Sequence, residues 1–377
     1  MLRIMIVAGE ASGDLHGAHL VAAMKQLAPD LSLCGMGGSE LRRQGVDILY
    51  DAAAMAVVGL VEVLAHLKDI RAARNILINE LQNHPPNLLI LIDYPDFNLL
   101  LAQKARQLGI PIFYYISPQV WAWRSGRVKK IGAIIDRMAV ILPFEKEFYH
   151  QRGVEVEYVG HPLLDSVRRT MSRNDFCRLH QIRPDSILLG ILPGSRKKEI
   201  RAMLPVFLET AAGLRESHGN LTILLPLAPS LTREDLLDCG LDRPGLAVKV
   251  IAEDRYDLMG SCDLVIAASG TVTLELAILD VPMVVAYKVS PLTWLVGNML
   301  VKVDFASLVN LIAGREVVRE LMQHEAEPGK IRAALQDIWP GSAKREEMLQ
   351  GLAEVREKLG SGGASLRAAR LALATAR

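Results

Sequence analysis

The sequence predicts an α/β protein built from two doubly wound parallel-sheet domains, and three observations carry that prediction. Short apolar runs alternate with longer mixed segments, the runs are apolar throughout rather than at every second residue, and the whole alternation occurs twice. Unalternating apolar strands belong to parallel sheets buried on both faces by crossover helices. At 377 residues the chain is also long for one core, so two domains are expected.

In the first half, "RIMIVAG" reads as a strand and precedes a helical stretch that stops near Pro29. "NLLILIDYPD" precedes "FNLLLAQKARQLG", "PIFYYISP" follows at once, and "DRMAVILPFE" and "EVEYVGHP" complete the series. A charged, strand-poor stretch, "LLDSVRRTMSRNDFCRLHQIRPDS", then separates the halves. In the second half "ILLGILPG", "NLTILLPLAP", "LAVKVIAE", "CDLVIAASG" and "VPMVVAYKV" read as strands. From about Ser342 the chain reads as helical, with a "GSGG" hinge at 360–363. The expected division is 1–165 for the first domain and 166–342 for the second. Two such sheets facing each other would form a cleft lined by the turns after their strands, where α/β folds bind ligands.

Bulk properties narrow the function. Half the residues are hydrophobic and 23% are charged, which excludes a disordered chain. A net charge of +1 gives no electrostatic reason for a nucleic-acid partner. Cys34, Cys177, Cys239 and Cys262 are far apart with no C-x-x-C pair, which argues against a zinc site or a disulfide framework and suits a reducing compartment. The N-terminus lacks a signal-peptide layout. The longest apolar candidate, "MVVAYKVSPLTWLVGNMLVKV", is broken by Lys288 and Pro291. No run reaches the roughly 20 residues of a spanning helix, so a soluble or peripheral protein is expected.

The turns after the strands carry the chemistry. "LPGSRKKEI" should open a helix, where Gly194 permits close backbone approach and free N–H groups favour an anion. Ser195 lies in that turn, and Arg196 can grip phosphate oxygens with Lys197 and Lys198 nearby. The bland alternative is an ordinary turn with a solvated basic face. In "AASGTVTLELAILDVP", Ser269, Gly270 and Thr271 form a second turn, and Glu275 falls in or near the first helical turn. A carboxylate there could accept both hydroxyls of a ribose; otherwise Thr271 caps the helix and Glu275 complements its dipole. Together, the two turns make a nucleotide diphosphate site the stronger reading.

"LIDYPDFN" sets Asp93 at a strand end, a candidate general base for a hydroxyl nucleophile, and Asp96 where it can cap the next helix. "VAGEASGDLHG" spaces Gly9, Gly13 and Gly17 as G-x-x-x-G-x-x-x-G and carries two acids, Glu10 and Asp14. That fails the dinucleotide fingerprint in spacing and in charge. A glycine turn with acids suits a neutral polyol such as a sugar, so Gly9, Ser12 and Gly13 are candidates for the acceptor side. No D-x-D motif and no His/Asp/Glu cluster at metal-ligand spacing occurs, and the expected mechanism uses no metal and no cofactor.

"MAVVGLVEVLAHLKDIRAAR" (55–74) is unusually apolar for one helix face. Val58, Leu60, Val61, Val63, Leu64 and Leu67, flanked by Lys68, Arg71 and Arg74, read as a membrane-interface element or acyl-chain groove. A buried helix or a dimer contact would produce the same pattern. "VWAWRSGRVKK" adds Trp121, Trp123, Arg124, Arg127 and Lys129.

"AGEASGD", "IDYPDFN", "SPQVWAWR", "LPFEKEFY", "VGHPL", "LPGSR", "ASGT" with its following Glu, and "SLVNLIAGR" occur in the order seen in lipid-A-disaccharide synthases, and the chain resembles that family from about residue 4 to residue 330. The resemblance implies a GT-B glycosyltransferase that joins UDP-2,3-diacylglucosamine to the 6-hydroxyl of 2,3-diacylglucosamine 1-phosphate (lipid X). The products would be a β-1,6 disaccharide 1-phosphate and UDP. It implies Asp93 as base with Glu10 beside it as sugar ligand or alternative base, and Arg196, Glu275 and Asn310 at the UDP-sugar site. It further implies that residues 343–377 return to the first domain, packing on their own chain or swapping into a second copy. The implied location is the cytoplasmic face of the inner membrane. "GSRKKEIR" is more basic than this family leads one to expect, which leaves Lys197 and Lys198 without a role. A UDP-sugar 2-epimerase of the same architecture and a non-catalytic lipid-binding protein are the rival readings.

Overall fold

The computed structural model describes residues 1–52, 67–123, 125–290, 294 and 303–376. They form two compact units, Met1–Asp165 with Ser361–Arg377, and Ser166–Gly360.

The first unit contains β1 (Leu2–Ala8), α1 (Ala11–Leu27), β2 (Leu31–Gly37), α2 (Ser39–Arg43), β3 (Asp47–Asp51), α3 (Leu67–Asn83) and β4 (Leu88–Ile92). It continues with α4 (Pro95–Gln107), β5 (Ile112–Tyr115), α5 (Val120–Trp123), α6 (Val128–Ile134), β6 (Arg137–Val140), α7 (Pro143–His150) and β7 (Glu157–Tyr158). Its sheet runs β3-β2-β1-β4-β5-β6-β7, with neighbours parallel throughout. Ile4 on β1 pairs with Leu33 on one side and Leu88 on the other.

The apolar strands bury both faces. Met5, Val7, Leu89 and Leu91 join a core with Ala73 and Leu77 of α3 and Phe97 and Leu101 of α4. Ile4, Ile6, Leu88 and Ile90 face the opposite core with Leu20 and Val21 of α1. Burying each large aliphatic side chain is worth about 1.5–3 kcal/mol, so the two-sided hydrophobic strand is what holds the sheet between its helix layers.

The second unit contains α8 (Arg173–Leu179), β8 (Ile187–Leu192), α9 (Lys197–Ser217), β9 (Leu221–Pro226), β10 (Val248–Ile251), α10 (Arg255–Ser261), β11 (Leu264–Ala267) and α11 (Val272–Ile278). Then follow β12 (Met283–Tyr287), α12 (Leu308–Ala313), β13 (Arg319–Met322) and α13 (Ala343–Leu359). Its sheet order is β10-β9-β8-β11-β12-β13, again parallel.

The last helix, α14 (Ala364–Thr375), belongs to the first unit, where Ala368, Ala369 and Ala372 enter the core beside α1. The stretch 343–377, assigned to the first domain from the sequence, is therefore divided. Met348, Leu352, Val355 and Leu359 of α13 are buried in the second unit, and a Cβ on Gly351 would come within 2.6 Å of Val317. Asp165 accepts hydrogen bonds from the Gly363 and Ser365 N–H groups, and Arg367 donates to the carbonyls of Val159, Ser361 and Gly362. These contacts fasten the returning segment to the first unit.

Candidate active site

Each sheet reverses its winding at one place, between β1 and β4 in the first unit and between β8 and β11 in the second. Such switch points open the crevice in which doubly wound sheets bind ligands. Glu10 follows β1 and Asp93 follows β4, while Gly194–Arg196 follow β8 and Ser269–Thr271 follow β11. These candidate residues of each unit thus follow the strands that flank its own switch point.

At the first, Asp93 and Tyr94 both adopt left-handed backbone conformations (φ 45° and 46°). This conformation costs about 1–3 kcal/mol for residues other than glycine and needs support. The Asp93 carbonyl accepts from Asn98 Nδ2 at 2.8 Å and from the Tyr114 hydroxyl, both buried. Asn98 also donates to the Ile92 carbonyl at 3.1 Å. The strained turn leaves the Asp93 carboxyl half-buried at the strand end. Burial, and then the negative charge of Glu10, raises it from 3.8 to about 6, against a lowering hydrogen bond from the Tyr94 backbone. Glu10 is exposed and precedes α1 without capping it. Gly9 is required by packing, because a Cβ there would lie 2.2 Å from the Tyr94 ring. Gly13 is buried against Ala8 and Ile92, and Ser12 is exposed.

The second acid of this turn has a structural task. Asp14 is buried, and its carboxylate accepts from the N–H groups of Gly38 (2.7 Å), Glu40 (2.9 Å) and Leu41 (3.2 Å). It caps α2 from another helix. Asp96, expected to cap α4, instead sits inside its first turn and pairs with Arg127 at 2.7 Å; Tyr94 occupies the cap position.

Glu145, which sequence reasoning passed over, is fully buried at the same edge of the sheet. It accepts from Ser117 Oγ (2.6 Å), Trp121 Nε1 (3.2 Å) and the N–H groups of Ile141 and Leu142. Burial nevertheless raises it from 4.5 to about 7. Asn98 was missed as well. Its only signal is a side-chain amide in the first turn after "DYPD", which resembles ordinary capping.

In the second unit Gly194 has φ 116°, a conformation that favours glycine. The helix start behind it already holds a carboxylate. Glu199 Oε2 accepts from the N–H groups of Ser195 (3.0 Å) and Arg196 (3.2 Å), while Oε1 accepts from Arg196 Nη1 (3.2 Å) and the Tyr287 hydroxyl (3.3 Å). The N–H groups expected to meet a phosphate are thus occupied, whereas Arg196 stays exposed. Lys197 pairs with Asp235 at 2.8 Å.

In the other turn Ser269 Oγ donates to the Ala306 carbonyl at 3.0 Å, and Gly270 and Thr271 are exposed. Thr271 makes no capping hydrogen bond; Thr273 Oγ1 reaches back to the Gly270 carbonyl instead. Glu275 is only 5% exposed and pairs with Arg255.

Asn310 is held inward. Its Oδ1 accepts from the N–H groups of Val317 and Val318, and its Nδ2 donates to the Val318 carbonyl and Glu320 Oε1. An amide has two donor hydrogens and two acceptor sites, so this side chain has no capacity left for a ligand. It shapes the chain from Ser307 to Glu320, where Glu320 also accepts from the N–H groups of Ala306 and Ser307.

Val58, Leu60, Val61, Val63 and Leu64 lie outside the described residues, as do Arg124 and the side chain of Leu67. Among the described residues no helix is long and apolar enough to cross a membrane, and no three His, Cys, Asp or Glu are grouped to hold a metal ion.

A family model described as lipid-A-disaccharide synthetase matches residues 4–372. The lipid-A-disaccharide synthase of Geobacter sulfurreducens is 51% identical, over 98% of this chain and 96% of that protein. That of Syntrophus aciditrophicus is 48% identical, over 98% and 97%. The chain belongs to the lipid-A-disaccharide synthase family. It is a glycosyltransferase of lipid A biosynthesis, and the family match continues through the C-terminal helices, beyond residue 330.

Solved structures share the two-unit α/β fold at low identity. The UDP-GlcNAc 2-epimerase of Neisseria meningitidis superposes with a TM-score of 0.65 at 12% identity, covering 99% of this chain and 100% of its own. MurG of Acinetobacter baumannii gives 0.60 at 15%, covering 99% and 100%. These likenesses describe architecture; the synthase family assignment rests on the sequence.

Proposed function

We propose that the chain transfers 2,3-diacylglucosamine from UDP-2,3-diacylglucosamine to the 6-hydroxyl of 2,3-diacylglucosamine 1-phosphate in one inverting displacement. Asp93 removes the acceptor proton as the oxygen attacks the anomeric carbon. The bond to the diphosphate breaks, UDP leaves with the electron pair, and Asp93 ends protonated. The observation that carries this reading is the Asp93 carboxyl itself, fixed at the first unit's switch point and raised to about 6 by burial and Glu10. A base with such a pKa is ionised at neutral pH and still binds a proton well.

On the second unit Arg196 supplies charge to the leaving diphosphate, the Ser269–Thr271 turn receives the phosphates, and Glu275 accepts from the ribose. Gly194 and Ser195 shape the approach, and Asn310 acts as scaffold. Gly9, Ser12 and Gly13 line the acceptor side. Val58, Leu60, Val61, Val63, Leu64 and Leu67 take acyl chains and hold the protein on the cytoplasmic face of the inner membrane. The C-terminal segment is the candidate contact for a homodimer.

The decisive experiment is UDP release by purified protein in detergent, given UDP-2,3-diacylglucosamine with and without the acceptor. Acceptor-dependent release is expected. Binding without release would defeat the transferase reading, and turnover of UDP-GlcNAc alone would point to epimerase chemistry.

A further inference from the structure

Glu275 is an acid in a costly position. At 5% exposure its carboxylate has lost most of its water, and an unpaired buried charge is strongly unfavourable. Its compensation comes from another helix, through an ion pair between Arg255 Nη2 and Glu275 Oε2. The contact engages one carboxylate oxygen, Oε2.

Arg255 is itself fixed in place. It is the first residue of α10, directly after Asp254, whose backbone is left-handed (φ 54°). Its guanidinium lies 4.9 Å from the centre of the Tyr256 ring. One residue further, the buried Asp257 carboxylate accepts from Thr170 N (2.7 Å), Thr170 Oγ1 (2.6 Å) and Met171 N (2.9 Å), which pins the start of α10. With 44% of its side chain exposed, Arg255 reaches from this anchored helix to the buried acid.

We propose that Arg255 is a positioning residue for recognition of the nucleotide ribose, fixing the orientation of Glu275 so that its other oxygen accepts from the sugar hydroxyls. The proposal rests on the reading of Glu275 as the ribose ligand and deepens it. A guanidinium on one oxygen holds the carboxylate plane; a misturned carboxylate would be a poorer acceptor for a diol.

The test is calorimetric binding of UDP and of 2′-deoxy-UDP to the full chain and to its E275Q, R255A and R255K variants. Wild type is expected to prefer UDP by about tenfold, the worth of one hydrogen bond to a charged group. R255A should weaken UDP by a similar factor, leave 2′-deoxy-UDP nearly unchanged and so erase the preference, and R255K should restore part of it. If R255A weakens both ligands equally, Arg255 is only structural and the proposal fails. An unchanged R255A preference, with E275Q erasing it, removes the arginine but keeps Glu275 as ribose ligand. A preference that survives E275Q overturns the ribose assignment and the proposal with it. Should R255A not fold, R255Q replaces it with the same criteria.

Discussion

Asp93 shows how much a single strand-end residue depends on neighbours that a linear reading separates. Its raised carboxyl predicts that kcat/KM falls as pH drops through about 6, because protonation removes the base. Glu10→Gln removes a like charge and should move that limb to lower pH. A limb that stays in place would mean that Glu10 does not act on Asp93. Asp93→Asn should lose about 100-fold or more in kcat while UDP-sugar binding survives; near wild-type turnover would transfer the role to Glu10.

Histidines provide a second pH signature. Burial and then His19 lower His16 from 6.5 to about 4, and burial and then His16 lower His161 from 6.5 to about 3. Between 6.5 and these values the unfolded chain binds protons that the folded chain does not, so stability must fall as pH falls. Asp93 contributes with the opposite sign between 3.8 and about 6, since its folded form binds the extra proton. Denaturant melts of His161→Gln should show a shallower loss of stability between pH 6.5 and 4 than wild type. An unchanged pH slope would remove His161 from the account.

At the level of elements, the strand-turn-helix units were legible because apolar runs and glycine turns are local signals. Gly194 is an example: its turn needs a left-handed backbone, and the sequence shows a glycine after a strand. The helix caps were not legible to the same degree. Asp96 and Thr271 have the right chemistry, yet Asp96 stands inside the first turn of α4 with Tyr94 at the cap position, and Thr271 makes no capping hydrogen bond at the start of α11. Glu199 turns back on its own helix start behind an arginine rather than the Ser or Thr of the usual signature. Asp14 caps a helix 24 residues further along, a pairing that only the β1–β2 neighbourhood creates. Asp14→Ala should therefore cost about 2–4 kcal/mol, since three backbone donors lose a charged acceptor, and chemical denaturation would measure it. A loss below 0.5 kcal/mol, roughly the scatter of an ordinary surface change, would refute the clamp.

At the scale of the whole molecule, the double architecture was written in the repeated alternation of strands and mixed segments, but the division of the C-terminal helices was not. Both α13 and α14 are amphipathic helices, and only tertiary partners separate them: Val317 lies close against Gly351 in one case, and Asp165 binds Gly363 and Ser365 in the other. Removing residues 361–377 should lower the melting transition of the first unit and leave that of the second in place, resolved by calorimetry. A common shift of both would contradict the division.

The same feature sets an order of events during synthesis. The second unit is one continuous stretch, Ser166–Gly360, while the first is made of Met1–Asp165 and the later segment Ser361–Arg377. A ribosome releases the chain from its N-terminus, and domains generally fold as units when their residues become available. The unit that is translated second is therefore the first to have all its parts. The unit that carries Asp93 must wait, with one flank of its sheet uncovered, until Ser361–Arg377 has followed the whole of the other unit out of the ribosome.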